Sequence, residues 1–105
     1  MPCEIVQRTQ SWIDILNAAE RIEIDSANAA ERFFDSIDES FDFLARHPEI
    51  ASLFETQDDR LVGLRIWPMK RFPRHLILYR YREDRIEILR VIHASQDIAP
   101  ILADL

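Results

Sequence analysis

Three short runs in the second half of the chain constrain its fold most. Leu61-Val-Gly-Leu-Arg-Ile-Trp67, His75-Leu-Ile-Leu-Tyr-Arg-Tyr81 and Arg85-Ile-Glu-Ile-Leu-Arg-Val-Ile92 are rich in β-branched and aromatic residues and have the length of strands. Arg82-Glu-Asp-Arg85 supplies turn-compatible residues for a hairpin between the last two. Pro68-Met-Lys-Arg-Phe-Pro-Arg74 is bracketed by prolines, which cannot donate to a ladder, and predicts a loop between the first two. The series predicts an antiparallel meander. In the last run a period of two places Ile86, Ile88, Arg90 and Ile92 on one face and Glu87, Leu89 and Val91 on the other. Apolar residues on both faces predict a central strand.

The first half supplies the cover for such a sheet. Cys3-Glu-Ile-Val-Gln-Arg8 predicts an initial strand. Trp12, Ile15, Leu16, Ala19 and Ile22 then recur at spacings of three and four, which predicts a helix over 11–23 with Ser11 and Asp14 as a capping-box start. Asp25 and Ser26 offer an N-cap to a second helix over 27–45, whose apolar stripe is Ala30, Phe33, Phe34, Ile37, Phe41 and Leu44. So short a link makes the helices double back on one another, and Arg46-His47-Pro48 ends the second. Residues 49–60 read as an acidic connection with a helical turn around Ile50 to Phe54. The whole is a β-α-α-β-β-β pattern of the α+β class, an antiparallel helical hairpin packed on a mainly antiparallel sheet, in a single domain over 1–105.

Several chemistries find no support in the residues. The three histidines, His47, His75 and His93, are widely separated, and no His-x-x-x-His or Cys-x-x-Cys spacing occurs, so no metal ligands are expected. The sole glycine, Gly63, excludes a glycine-rich phosphate loop, and no Gly-x-Ser-x-Gly elbow surrounds Ser95. Neither a metal nor another cofactor is expected. The only cysteine, Cys3, cannot form an internal disulfide and reads as a small apolar filler at the start of a strand or a fortuitous surface thiol. With no membrane-length apolar run and no signal-like start, the expected location is the cytoplasm, with no membrane partner.

Charge is segregated along the chain. The net charge is −6, yet residues 60–90 hold eight Arg and Lys70 against three acids, while residues 1–59 hold four Arg against fourteen. The total argues against direct high-affinity nucleic-acid binding. The basic middle fits either an acidic partner surface or the acidic half of the same fold. Lys70-Arg-Phe-Pro-Arg74 interleaves cations with an aromatic ring, which suits an acidic protein surface or a single strand of RNA, while a solvated loop is the plain alternative. Arg90, on an otherwise apolar strand face, is either paired with an acidic residue of the helices or a cation at the rim of a partner groove. His93 and Asp97 read as groups satisfying the backbone at a strand end and capping a C-terminal turn, or as part of a site.

Ala29-Ala-Glu-Arg-Phe-Phe-Asp35, Phe43-Leu-Ala-Arg-His-Pro48, Leu64-Arg65, Leu78-Tyr-Arg80 and Ile88-Leu-Arg-Val-Ile-His93, with Asp97 four residues on, follow in an order and spacing that resembles the ParE-like toxins of the RelE/ParE superfamily, over roughly residues 5–100. The resemblance implies a small plasmid-stabilisation-type toxin encoded beside an antitoxin that wraps its surface. For the ParE branch it implies DNA gyrase as the target, inhibited by contact, with no catalytic residues. The RelE branch cleaves mRNA in the ribosome with Lys and Arg residues and a Tyr near the C-terminus. Here no Tyr follows Tyr81, and the tail Ile98-Ala-Pro-Ile-Leu-Ala-Asp-Leu105 is apolar and acidic. The endoribonuclease reading, with His75 or His93 as base, is the alternative. A third reading is a decayed, non-toxic member, because ParE-like chains commonly carry His-Gly-Ala-Arg-Asp where this one has His93-Ala-Ser-Gln-Asp97. The residues expected to meet a partner are Arg65, Lys70, Arg71, Arg74, Arg90, His93 and Asp97.

Overall fold

A computed structural model describes residues 1–105. The elements in chain order are β1 (Glu4–Gln7), α1 (Thr9–Asp25), α2 (Ala27–Arg46), β2 (Leu64–Met69), β3 (Phe72–Arg82), β4 (Arg85–His93) and a short α3 (Ile98–Ala103). The fold is α+β. The sheet runs β1-β4-β3-β2, so β4 is central; β2, β3 and β4 are antiparallel, and β1 lies parallel to β4 from Glu4 opposite Arg85 to Gln7 opposite Ile88.

Ser26 alone joins α1 to α2, and its Oγ caps α2 by accepting from Ala29 N–H at 3.1 Å. A one-residue link forces the antiparallel hairpin. The hairpin covers one face of the sheet, where Ile15, Phe33, Ile37 and Leu44 pack on Ile77, Tyr79, Ile86 and Ile88. The opposite face carries a second, smaller core, in which Leu64, Leu78, Leu89 and Ile92 lie under Ile101 of α3 and half-buried Phe54. Asp97 caps α3 by accepting from Ala99 N–H at 3.2 Å.

Five local expectations are corrected. In β4, Leu78 lies opposite Arg90 while Tyr79 lies opposite Ile88, so Leu89 is an extra residue. This bulge breaks the period of two. Ile86, Ile88 and Val91 therefore face the helices, and Leu89 and Ile92 face the second core. In α1 the buried row is narrower than its apolar stripe: Ser11, Ile15 and Ala19 are buried, whereas Trp12 and Leu16 are 54% and 57% exposed. In α2, Phe34 is likewise exposed. Ser11 is not an N-cap; it sits inside the helix and donates from Oγ to Arg8 O at 2.8 Å. Residues 68–74 are no loop. Strands run through both prolines, with Pro68 on edge strand β2 and Pro73 beyond the last β3–β4 pair, His75 opposite His93, where no N–H is needed. The turn is Lys70-Arg71, with Arg71 at φ 66°.

Finally, no helical turn forms at Ile50 to Phe54. Leu53 bridges Arg65, and Phe54 N–H donates to Leu64 O at 2.8 Å, partly covering the edge of β2. The only turn of helix in this connection is a 3₁₀ turn at Asp59–Leu61, and Gly63 at φ 87° redirects the chain into β2, a backbone angle that favours glycine. The β3–β4 hairpin closes on Glu83 and Asp84, both left-handed at φ 53° and 59°, as a two-residue turn matching the strand twist requires.

Candidate partner-binding surfaces

Arg90 and Asp14 form a two-point ion pair between the sheet and α1. Asp14 Oδ2 accepts from Arg90 Nε at 2.7 Å, Oδ1 accepts from Nη2 at 3.0 Å, and Oδ2 also accepts from Val91 N–H at 3.0 Å. The cause lies in the sheet. β1 stops opposite Ile88, leaving the edge of β4 beyond it without a neighbouring strand, and the Asp14 carboxylate takes that strand's place. The bulge swings Arg90 onto the same edge. Arg90 is thus paired with an acid of the helices.

Three of the other expected cations, Arg65, Lys70 and Arg71, are similarly engaged. Arg65, largely buried, donates from Nη1 to Ala51 O and lies 3.8 Å from the Glu49 carboxylate. Glu39 of α2 pairs with both Arg71 and Lys70. The backbone of Lys70 is fixed from below: Lys70 O accepts from the buried Ser36 hydroxyl, and Lys70 N–H donates to Ser40 Oγ at 3.0 Å. Six of the nine cations between residues 60 and 90 have a carboxylate within 4.0 Å, counting Arg60 with Asp58 and Arg85 with Glu4. Arg74, Arg80 and Arg82 have none. The acidic first half of the sequence neutralises much of the basic middle within the fold.

At the far end of the sheet, His75 and His93 are cross-strand partners with ring centroids 5.0 Å apart. His75 also packs edge-on against Phe33 at 4.9 Å. Burial, and then the neighbouring His93, pull the His75 pKa down to about 4. At neutral pH it is an uncharged ring. His93 Nδ1 accepts from Ser95 N–H at 3.1 Å and lies 2.6 Å from Ser95 Oγ, while His93 N–H donates to Gln96 Oε1 at 2.7 Å. The two rings border a polar groove of about 400 Å³ whose other wall is Asn17, Arg21 and Asp25 of α1. A general base works best with a pKa near the operating pH, so His75 is poorly matched to proton abstraction.

Of the seven residues expected to meet a partner, the structure gathers Lys70 with Arg71 around Glu39 and leaves the rest dispersed. Arg74 and His93 lie near the β3–β4 end, where Ala94 N–H donates to Arg74 O at 2.7 Å. Arg65 is on edge strand β2, Arg90 is inside an ion pair and Asp97 caps α3. No three His, Cys, Asp or Glu side chains come together as a metal cage. No helix is long and apolar enough to cross a membrane.

Sequence reasoning missed the exposed row on α1. Trp12, Ile13 and Leu16 lie at its surface, with Ile24 further along. The signal was present, because Ile13 and Ile24 fall outside the stripe and an apolar arc too wide for one buried face means that part of it stays outside.

The order of elements, the sheet order and the hairpin on one face define a small α+β protein of the ParE-like fold. A solved chain titled as the chromosomal ParDE TA system from P. aeruginosa shares this fold at a TM-score of 0.69 and 14% identity, over 87% of this chain and 95% of that one. The profile of the family described as "ParE toxin of type II toxin-antitoxin system, parDE" matches residues 8–98, and the chain belongs to that family. It is a ParE-type toxin of a type II toxin–antitoxin system. No curated protein matches the sequence.

Proposed function

We propose that this toxin acts by contact, inhibiting DNA gyrase in the cytoplasm, and that a cognate antitoxin silences it by covering the exposed apolar row of α1. The observation that carries this reading is the engagement of four of the five expected cations. RNA cleavage needs cations free to offset charge developing on the scissile phosphate. Here Arg65, Lys70, Arg71 and Arg90 are already paired with carboxylates of the same chain. An exposed row holding Trp12 and Leu16 is instead suited to burial under another protein.

The test uses the purified chain. It should inhibit gyrase supercoiling in a dose-dependent way, and the co-expressed antitoxin should restore the activity. Undisturbed supercoiling together with mRNA cuts mapped by primer extension on translating ribosomes would replace this reading with the endoribonuclease one. Undisturbed supercoiling with no growth defect on expression would point to a decayed member.

A further inference from the structure

The end of the β3–β4 hairpin gathers like charges that the fold neutralises only in part. On β3, Arg80 and Arg82 follow Leu76 and Leu78 by steps of two and share their face, the one turned away from the helical hairpin. Arg85 lies directly opposite Arg82 across the strand pair. Like charges so placed repel. Arg8 adds a fourth cation through its pairing with Glu87, which itself lies opposite Arg80.

Four guanidinium groups thus share two carboxylates, Glu87 with Arg8 and Glu4 with Arg85. Glu83 and Asp84 in the adjoining turn come within 4.0 Å of none of them. Arg80 donates from Nη2 to Arg60 O, and its Nε is buried without any partner. Burial and the nearby Arg82 and Arg8 push the Arg80 pKa down, against the trend for a cation that has found a partner. α3 packs on Leu64, Leu78, Leu89 and Ile92 of this face and meets Arg60 through Ala103 O at 3.2 Å, while Arg82 is exposed.

We infer that Arg80 and Arg82, with Arg8 and Arg85 beside them, form a receptor for an extended acidic segment of a partner protein. Two arginines at alternate residues of a strand are about 6.8 Å apart, and carboxylates at alternate residues of an extended peptide have the same spacing. Arg82 can then offer its guanidinium fork, and Arg80 its Nη1, to successive carboxylates in charge-assisted pairs. A nucleic-acid strand fits less well, because it carries a charge at every nucleotide and would bring more of them past Glu4, Glu83, Asp84 and Glu87 than a peptide with two carboxylates does. This surface goes beyond the gyrase and antitoxin reading, and its test needs neither partner.

A short labelled peptide with carboxylates on alternate residues is titrated with the full chain by fluorescence anisotropy at low salt, where charge pairing is least screened. Its competitors are a peptide of the same composition with its acids consecutive, the amide version, and a short single-stranded oligonucleotide. The alternating peptide is expected to bind, and to lose about tenfold in affinity with Arg82→Gln and more with Arg80→Gln added. The Arg82 side chain makes no hydrogen bond within the chain and faces like charges, so its removal should leave the urea midpoint unchanged or raise it. Arg74→Gln is the control, since Arg74 is equally unpaired but about 20 Å from Arg80 along the same strand. The idea is overturned if the alternating peptide does not bind, binds the double variant as well as the natural chain, or is matched by the consecutive-acid peptide or the oligonucleotide.

Discussion

Replacing Asp14 with Ala removes three acceptor contacts at once, those to Arg90 Nε, Arg90 Nη2 and Val91 N–H. The side chains are 16% and 9% exposed, so the Arg90 guanidinium would be left largely out of water with no counter-ion. Breaking a buried pair from one side costs about 3–5 kcal/mol, and the residual exposure of Arg90 places this case near the lower end, at about 3 kcal/mol. For a chain of this size that corresponds to a fall in Tm of about 12–24 °C. Asp14→Asn keeps one acceptor for Val91 N–H and should cost about half as much. Arg90→Leu alone leaves the carboxylate bonded only to Val91 N–H and should cost about 2 kcal/mol. Combining Asp14→Val with Arg90→Leu replaces both charges by apolar groups and leaves one unpaired N–H, for a net loss of about 1–2 kcal/mol. With Asp14→Val alone costing about as much as Asp14→Ala, the cycle read by urea unfolding through Trp12 and Trp67 fluorescence should therefore show coupling of about 3–4 kcal/mol. A loss below about 0.5 kcal/mol for Asp14→Ala, or simple additivity of the two single changes, would refute the claim that this carboxylate stands in for a missing strand.

Three further outcomes are expected. Ser36→Ala leaves Lys70 O without its buried donor and should lower stability by about 1–2 kcal/mol in thermal unfolding, whereas an unchanged Tm would mean that the turn does not depend on this contact. His75 has a folded pKa of about 4 against its ordinary 6.5, so the unfolded chain takes up the proton first as pH falls. The stability this gives is complete above pH 6.5, declines from 6.5 towards 4 and falls no further below 4. His75→Gln should flatten the unfolding free energy over that window, and identical pH slopes in the two proteins would contradict the assignment. Asp84→Gly, at a left-handed φ of 59° in the hairpin turn, should stabilise the chain by about 0.5–1 kcal/mol; a loss of stability in urea would show that the carboxylate matters more than backbone strain.

What the sequence made legible were the features that depend on neighbours along the chain. Ser26 caps α2, α2 ends just before Pro48, and Glu83-Asp84 closes the hairpin, because each depends on residues a few positions away. What it concealed depends on the third dimension. Nothing local marks Leu89 as the extra residue of β4, since the bulge exists only relative to β3. That one residue exchanged the faces assigned to Val91 and Ile92 and carried Arg90 towards α1. The narrow buried row of α1 has a similar origin: a stripe shows which residues can be buried, and the sheet beneath decides how many are.

The charge pattern follows the same logic and bears on where function lies. Counting cations along the sequence marked Arg65, Lys70, Arg71 and Arg90 for a partner, yet a cation's availability depends on which acids the fold brings to it, and these four were met by Glu49, Glu39 and Asp14 from the first half. Arg80 and Arg82 looked no different in the sequence. They differ because alternation on β3 turns them to the face away from the acid-rich helices, where Arg85 is opposite one of them and a shared Glu87 is opposite the other. A cluster of like charges lowers stability unless something outside the chain relieves it, so its presence at this sheet end is better explained by a binding role than by folding.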